Sequence, residues 1–171
     1  MRKFLAVALI LTLAAASHAM YFTEGTSELS VSGLLDFKSA NGTLTDIDVF
    51  YGYFVMDYLE AGLAGSFMND NAVRTWALGP KAEYNFDIGY TAVPFVGGSL
   101  MFAASKLKEG EKSDHAFIAG AEGGAKFFIT EYAALSAALV GEIATDDIYP
   151  SGDDERDSTD LRFELGMRIF F

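Results

Sequence analysis

Few residues in this chain could do chemistry, and each is weighed first by what its neighbours allow. Removal of an N-terminal leader leaves one imidazole, His115, beside Ser113 and Asp114 with Glu109 and Glu111 nearby. A Ser–His–acid hydrolase needs its nucleophile and base to meet in space. Ser113 and His115 merely share a strand edge, so His115 reads as a solvated loop histidine. Asp146, Asp147, Asp153, Asp154, Glu155, Asp157 and Asp160 place seven acids in one stretch. Carboxylates suit hard cations, but this spacing matches no calcium loop, and a solvated acidic face is expected. The glycines at Gly120, Gly123 and Gly124 are not followed by the Lys-Ser/Thr of a phosphate loop. Asn41-Gly42-Thr43 reads as a turn. No catalytic residue, cofactor site or metal site is expected.

A second group of charges sits inside apolar alternation. Glu60, Lys81, Glu83, Glu122, Lys126, Glu142, Arg162, Glu164 and Arg168 all fall at mid-strand positions. Five acids and four bases nearly cancel. Unpaired buried charge is prohibitive, so these residues are expected to pair within an enclosed interior. Arg162 and Arg168 are expected to meet Glu142 and an acid of the first strand, Glu28 or Asp36.

The elements that must position them follow from composition and periodicity. The chain has 171 residues, a net charge of -12, 51% hydrophobic residues and no cysteine. That length fits one domain. Disulfide frameworks and thiolate sites are excluded, and so is a basic nucleic-acid binder. Arg2 and Lys3 followed by apolar Phe4 to Ala16 and Ser17-His18-Ala19 form a signal-peptide pattern, removed as residues 1–19. The domain is then 20–171, with net charge -14.

Period-2 alternation predicts eight strands. The last is clearest: Leu161, Phe163, Leu165, Met167, Ile169 and Phe171 oppose Arg162, Glu164, Gly166 and Arg168. The strand over 92–104 has apolar residues on both faces and stays unoriented. Pro80 and Pro94 stand inside the fourth and fifth strands and weaken them. Three connections share a pattern of Phe, an acid and Tyr: Phe54 to Tyr58, Phe86 to Tyr90 and Phe128 to Tyr132, at spacings of 32 and 42 residues. The other connections are longer and polar.

Alternation alone permits a soluble lipid carrier with its apolar face inside or a membrane barrel with that face outside. The aromatics favour the membrane. Eleven of the 23 in the domain lie at the short turns or the C-terminus, where a bilayer interface holds such rings. Tyr53, Tyr58, Tyr84, Tyr90, Phe127, Tyr132 and Phe171 are expected to form the girdle, and Phe54, Phe86, Phe128 and Phe170 join this count.

Glu164 to Phe171 match the C-terminal assembly signal of bacterial outer-membrane barrels, with Glu164, Gly166, Ile169 and Phe171 at its specified positions. The chain resembles the small OmpA-type outer-membrane β-barrel proteins. That resemblance implies an all-β, eight-stranded antiparallel up-and-down transmembrane barrel of the bacterial outer membrane. It also implies insertion by the barrel-assembly machinery, and no single activity. The partners expected are outer-membrane lipids, including lipopolysaccharide, and a monomer is expected. The function expected is structural, and no enzyme. A narrow pore or transporter is the first alternative, and an outer-membrane lipid-modifying hydrolase the second.

Phe171 is expected to act twice, as an interface side chain worth about 1.5–3 kcal/mol and as the residue recognised during assembly. Deleting it should lower the stability of a barrel refolded in detergent only moderately, while sharply reducing outer-membrane yield in cells. Small, equal losses in both would reduce Phe171 to a packing residue.

Overall fold

A computed structural model describes residues 22–39, 42–69, 73–88, 92–107, 113–150 and 156–171. Eight strands close into one antiparallel barrel: β1 (Ser27–Ser39), β2 (Gly42–Met56), β3 (Leu59–Asn69), β4 (Val73–Asn85), β5 (Ala92–Leu107), β6 (Ser113–Thr130), β7 (Ala133–Ala144) and β10 (Thr159–Phe170). A short hairpin, β8 (Tyr149–Pro150) with β9 (Arg156–Asp157), stands between β7 and β10. Neighbours in sequence are neighbours in the sheet, and β1 pairs with β10 to close it. Residues 1–19, read from the sequence as a signal peptide, lie outside the described residues.

The wall settles which face is wet. Leu161 is 71% exposed on the exterior, with Phe163, Leu165, Leu139 and Leu100 also exposed there. The interior holds Glu28, Glu60, Glu83, Lys126, Glu142 and Arg168, all buried. A soluble carrier would reverse this arrangement. So continuous an apolar exterior calls for hydrocarbon around it, and the closed ladder leaves no edge to face lipid. The walls, 11 to 18 residues long, suffice to cross it. The sequence left β5 unoriented because both its faces are apolar. Val96, Leu100 and Phe102 point outward, while Val93, Phe95, Met101 and Ala103 fill the interior. Both prolines are accommodated. Pro80 faces outward and pairs in register with Leu63, at a break in the β4–β5 ladder, and Pro94 pairs with Ala125.

The short turns are built by two bulges. Register slips between Phe54 and Met56 and between Phe128 and Thr130. Phe54 and Phe128 keep the inward parity of their strands, and the bulges leave Met56 and Thr130 exposed beside Val55 and Ile129. Tyr58 then takes a positive φ of 67°, a strained conformation for a non-glycine residue that its surroundings must fix. Its N–H donates to the Phe22 carbonyl at 2.7 Å, and its carbonyl accepts from the Asn85 N–H at 2.8 Å. Its hydroxyl donates to Asp87 at 3.3 Å, and that carboxylate holds the phenol above its ordinary pKa. The third turn departs from the sequence repeat. Phe86 is exposed and packs on Tyr84, while buried Asn85 is the inward residue there.

Close strand approach is met by glycine. A Cβ on Gly124 would strike the Ala137 carbonyl and stand 2.8 Å from the Ala138 Cα, whereas one on Gly141 would meet only the Leu161 side chain at 3.7 Å. Gly124→Ala should therefore destabilise the barrel by about 1–3 kcal/mol, the usual range for overpacking. Gly141→Ala should be neutral or stabilising through the unfolded chain. Urea midpoints in detergent check this, and equal midpoints for the two variants would contradict the close approach at Gly124.

Candidate functional site

The candidate site is the lumen. Alternation on β1, β3, β4, β6 and β10 aims one polar side chain after another at the barrel axis, where strands far apart in sequence meet. At its centre the Lys126 ammonium lies 2.7 Å from Glu28, 2.8 Å from Glu60 and 3.1 Å from Glu83. Arg168 joins Glu28 and Glu83, each at 2.7 Å. Lys81 extends the chain to Glu83 at 3.0 Å and Glu122 at 2.7 Å. Lys126, Glu28, Glu60 and Glu83 have fully buried side chains. The three carboxylates come close enough, within 4.8 Å, to hold a metal ion. Lys126 already supplies a cation among them.

A second cluster lies toward the longer loops. Arg162 grips Glu142 with both guanidinium arms at 2.8 and 3.1 Å, and also meets Asp160 at 2.8 Å and Glu164 at 2.7 Å. Ser32 of β1 donates to Glu164 at 3.1 Å, tying this cluster to the seam. Between the clusters is a cavity of about 50 Å³ lined by Ser30, Asp48, Ser99, Glu122 and Arg162 among others.

The short-turn end of the lumen is covered, and two side chains fold into the other end. Phe22, Phe54, Phe128 and Phe170 are buried together beneath Lys126 at the short-turn end. The Phe22 ring meets Phe54, Phe128 and Phe170 edge-on at 5.6 to 5.9 Å. The Lys126 ammonium stands over Phe22, Phe95 and Phe170, and the Arg168 guanidinium is 4.5 Å from the Phe95 ring centre. At the other end Ile148 and Tyr149 fold inward. Tyr149 donates to Glu142 at 2.8 Å. Burial, and then the Glu142 carboxylate, raise its phenol well above its ordinary pKa.

All nine mid-strand charges face this interior, and the structure changes the charge balance drawn from them. Glu28, Asp46, Asp48 and Asp160 face it too. The acids therefore outnumber the bases instead of nearly cancelling. Asp160 belongs to the lumen rather than to a solvated loop. Of the two acids expected for Arg168 on the first strand, Glu28 is the partner. The Asp36 side chain lies outside the described residues, and Glu83 across the lumen was not anticipated.

The aromatic girdle also needs correction. Tyr53, Tyr84, Phe86, Tyr132 and Phe171 are exposed, and Phe127 lies half-buried on the same wall, in register with Leu135. Tyr58 instead stacks against Phe22 at the lumen floor, with ring centres 6.4 Å apart. Phe54, Phe128 and Phe170 were counted with the interface but point inward, because each shares parity with Gly52, Lys126 or Arg168. Phe22 was not singled out by any periodicity. Tyr90 lies outside the described residues.

The C-terminal motif forms the closing seam. Gly166 faces Ser32 and Ser136, where a Cβ would stand 2.9 Å from the Ser32 side chain. Ile169 is paired with Leu29, and Glu164 bonds Arg162. Phe171 exchanges backbone hydrogen bonds with Ser27 at 2.8 and 3.0 Å, its ring outward near Tyr51. His115 is exposed and stacked on Phe102, with ring centres 5.5 Å apart.

No protein-family profile matches the chain, and no curated protein sequence matches it. Its structure is similar to the N-terminal β-barrel domain of OprF from Pseudomonas aeruginosa, with 19% identity and a TM-score of 0.62 over 86% of this chain and 98% of that one. It is similar to Neisserial surface protein A, NspA, with 15% identity and a TM-score of 0.64 over 86% and 98%. The outer membrane protein OprG from Pseudomonas aeruginosa gives 10% identity and a TM-score of 0.57 over 90% and 99%. At such identities the likeness is one of fold. With its apolar exterior and charged lumen, the chain has the fold of the small, eight-stranded OmpA-type outer-membrane β-barrels.

Proposed function

We propose that this protein is a structural barrel of the bacterial outer membrane, delivered by a cleaved signal peptide and inserted by the barrel-assembly machinery. Its lumen is sealed by charge and its acidic loops face outward. The observation that carries this reading is Lys126, fully buried and held by three carboxylates above a floor of four phenylalanines. An eight-stranded barrel has an interior just wide enough for side chains, and here it is filled. An ion crossing it would have to displace Lys126 from its partners and part the aromatic floor. The cavity between the clusters fits only a few waters.

The pore remains the competing class, and recording decides between them. The purified barrel in planar bilayers should show no steady conductance; steady conductance that survives purification would overturn the seal. The hydrolase reading gains nothing from His115, whose ring lies flat on Phe102. Lipid A from cells expressing the chain should be unmodified.

The seal also predicts stability. Lys126→Met strands buried carboxylates and should cost about 3–5 kcal/mol. Arg162→Met should cost less, because the Arg162 side chain is 19% exposed and water can take over part of its role. Urea unfolding in lipid vesicles measures both. A Lys126→Met barrel as stable as the parent would mean that the ammonium is solvated.

A further inference from the structure

Four bases are held within the lumen, but two others stand side by side on the outer wall. Arg74 of β4 and Lys106 of β5 are direct partners in the ladder, and both are exposed. Residues so placed have Cβ atoms about 4.5–5.5 Å apart, and like charges there repel. Among the described residues neither makes an ion pair. The exposed carboxylates described at this end, Asp146, Asp147 and Asp157, belong to the connection between β7 and β10. Among the described residues, the exposed charges at this end are thus two bases on β4 and β5 and three acids beyond β7.

Below the two bases the wall changes character row by row. Trp76, Ala104 and His115 form the next row across β4, β5 and β6. Leu78, Phe102 and Phe117 form the row after that. The Phe102 ring lies 6.4 Å from Trp76 and 5.5 Å from both His115 and Phe117. Ala104 is 8% exposed between two large neighbours that project past it. The result is a shallow notch with cations above and aromatic surface below.

We propose that this sector docks a phosphorylated glycolipid of the outer leaflet, lipopolysaccharide held through its lipid A phosphates. The proposal rests on the outer-membrane reading above. An anionic phosphate relieves the repulsion between Arg74 and Lys106, and the Arg74 fork matches phosphate geometry. The acyl chains then run down over Trp76, Phe102 and Phe117. A rigid sugar fits the notch at Ala104, where the headgroup of a simple phospholipid offers nothing of that shape.

Trp76 is the only tryptophan in the chain, so its emission reports on this surface. The folded mature barrel in phosphatidylcholine vesicles is titrated with diphosphoryl lipid A. The expected result is a saturable change in emission that dephosphorylated lipid A and inorganic phosphate do not produce. Phosphatidylglycerol should need roughly tenfold more for the same effect. Arg74→Gln combined with Lys106→Gln should raise the half-saturating mole fraction roughly tenfold or more, while Arg74→Lys with Lys106→Arg should titrate like the parent. The site is refuted if the double Gln variant titrates unchanged, or if dephosphorylated lipid A, inorganic phosphate or phosphatidylglycerol matches diphosphoryl lipid A. A barrel that inserts and shifts its gel mobility on boiling, yet titrates flat, refutes the site and leaves the outer-membrane reading standing. A chain that fails to insert removes both.

Discussion

Everything in this barrel depends on how Lys126 is held. An ammonium with no exposure to water is tolerable only with its charge matched and its protons placed. Glu28, Glu60 and Glu83 do this from β1, β3 and β4 while Lys126 reaches in from β6. Four strands that are not all neighbours are thereby fixed to one point. Arg168 adds β10 to the same point, and β10 is the strand that closes the barrel on β1. The ion pairs thus hold the interior together and also set the register of the seam. A one-residue slip of any of these strands would turn its own charge toward lipid.

Placing charge inside leaves the exterior free to be apolar, and that division suits a membrane. The outward residues of β7 and β10 need no partner within the protein, because hydrocarbon covers them. The aromatic floor belongs to the same logic. Phe22, Phe54, Phe128 and Phe170 keep water from the lysine at the short-turn end, and the ring faces of Phe22 and Phe170 add to its electrostatic surroundings. The floor also stabilises the strained Tyr58, whose N–H bonds the Phe22 carbonyl. Enclosure of the lumen and shape of the turn are therefore linked.

Much of this was legible in the sequence, and the gaps have physical causes. Alternation located all eight wall strands and the inward side of seven. It failed on β5 because a narrow barrel fills part of its lumen with Val93, Phe95, Met101 and Ala103. The turn aromatics were grouped by position along the chain rather than by parity. Parity would have sent Phe54, Phe128 and Phe170 inward with Gly52, Lys126 and Arg168. Tyr58 escaped both rules, since a bulge precedes it and its φ is positive. Phe22 stands before the first strand, where no period applies. Cross-lumen pairs such as Arg168 with Glu83 depend on barrel closure, which a linear pattern does not encode.

The central claim is that Lys126 and its carboxylates act as a unit, buried from water. A double-mutant cycle tests it most directly. Lys126→Met, Glu60→Gln and the pair together are unfolded in urea from lipid vesicles. Glu60 bonds Lys126 at 2.8 Å and is otherwise joined only to Asn85 among the contacts described, so the cycle isolates one link. The account predicts a coupling at the upper end of the usual range of about 0.5–3 kcal/mol, with the double variant more stable than the sum of its parts allows. Additive losses would show that the two charges do not feel each other and would contradict the account.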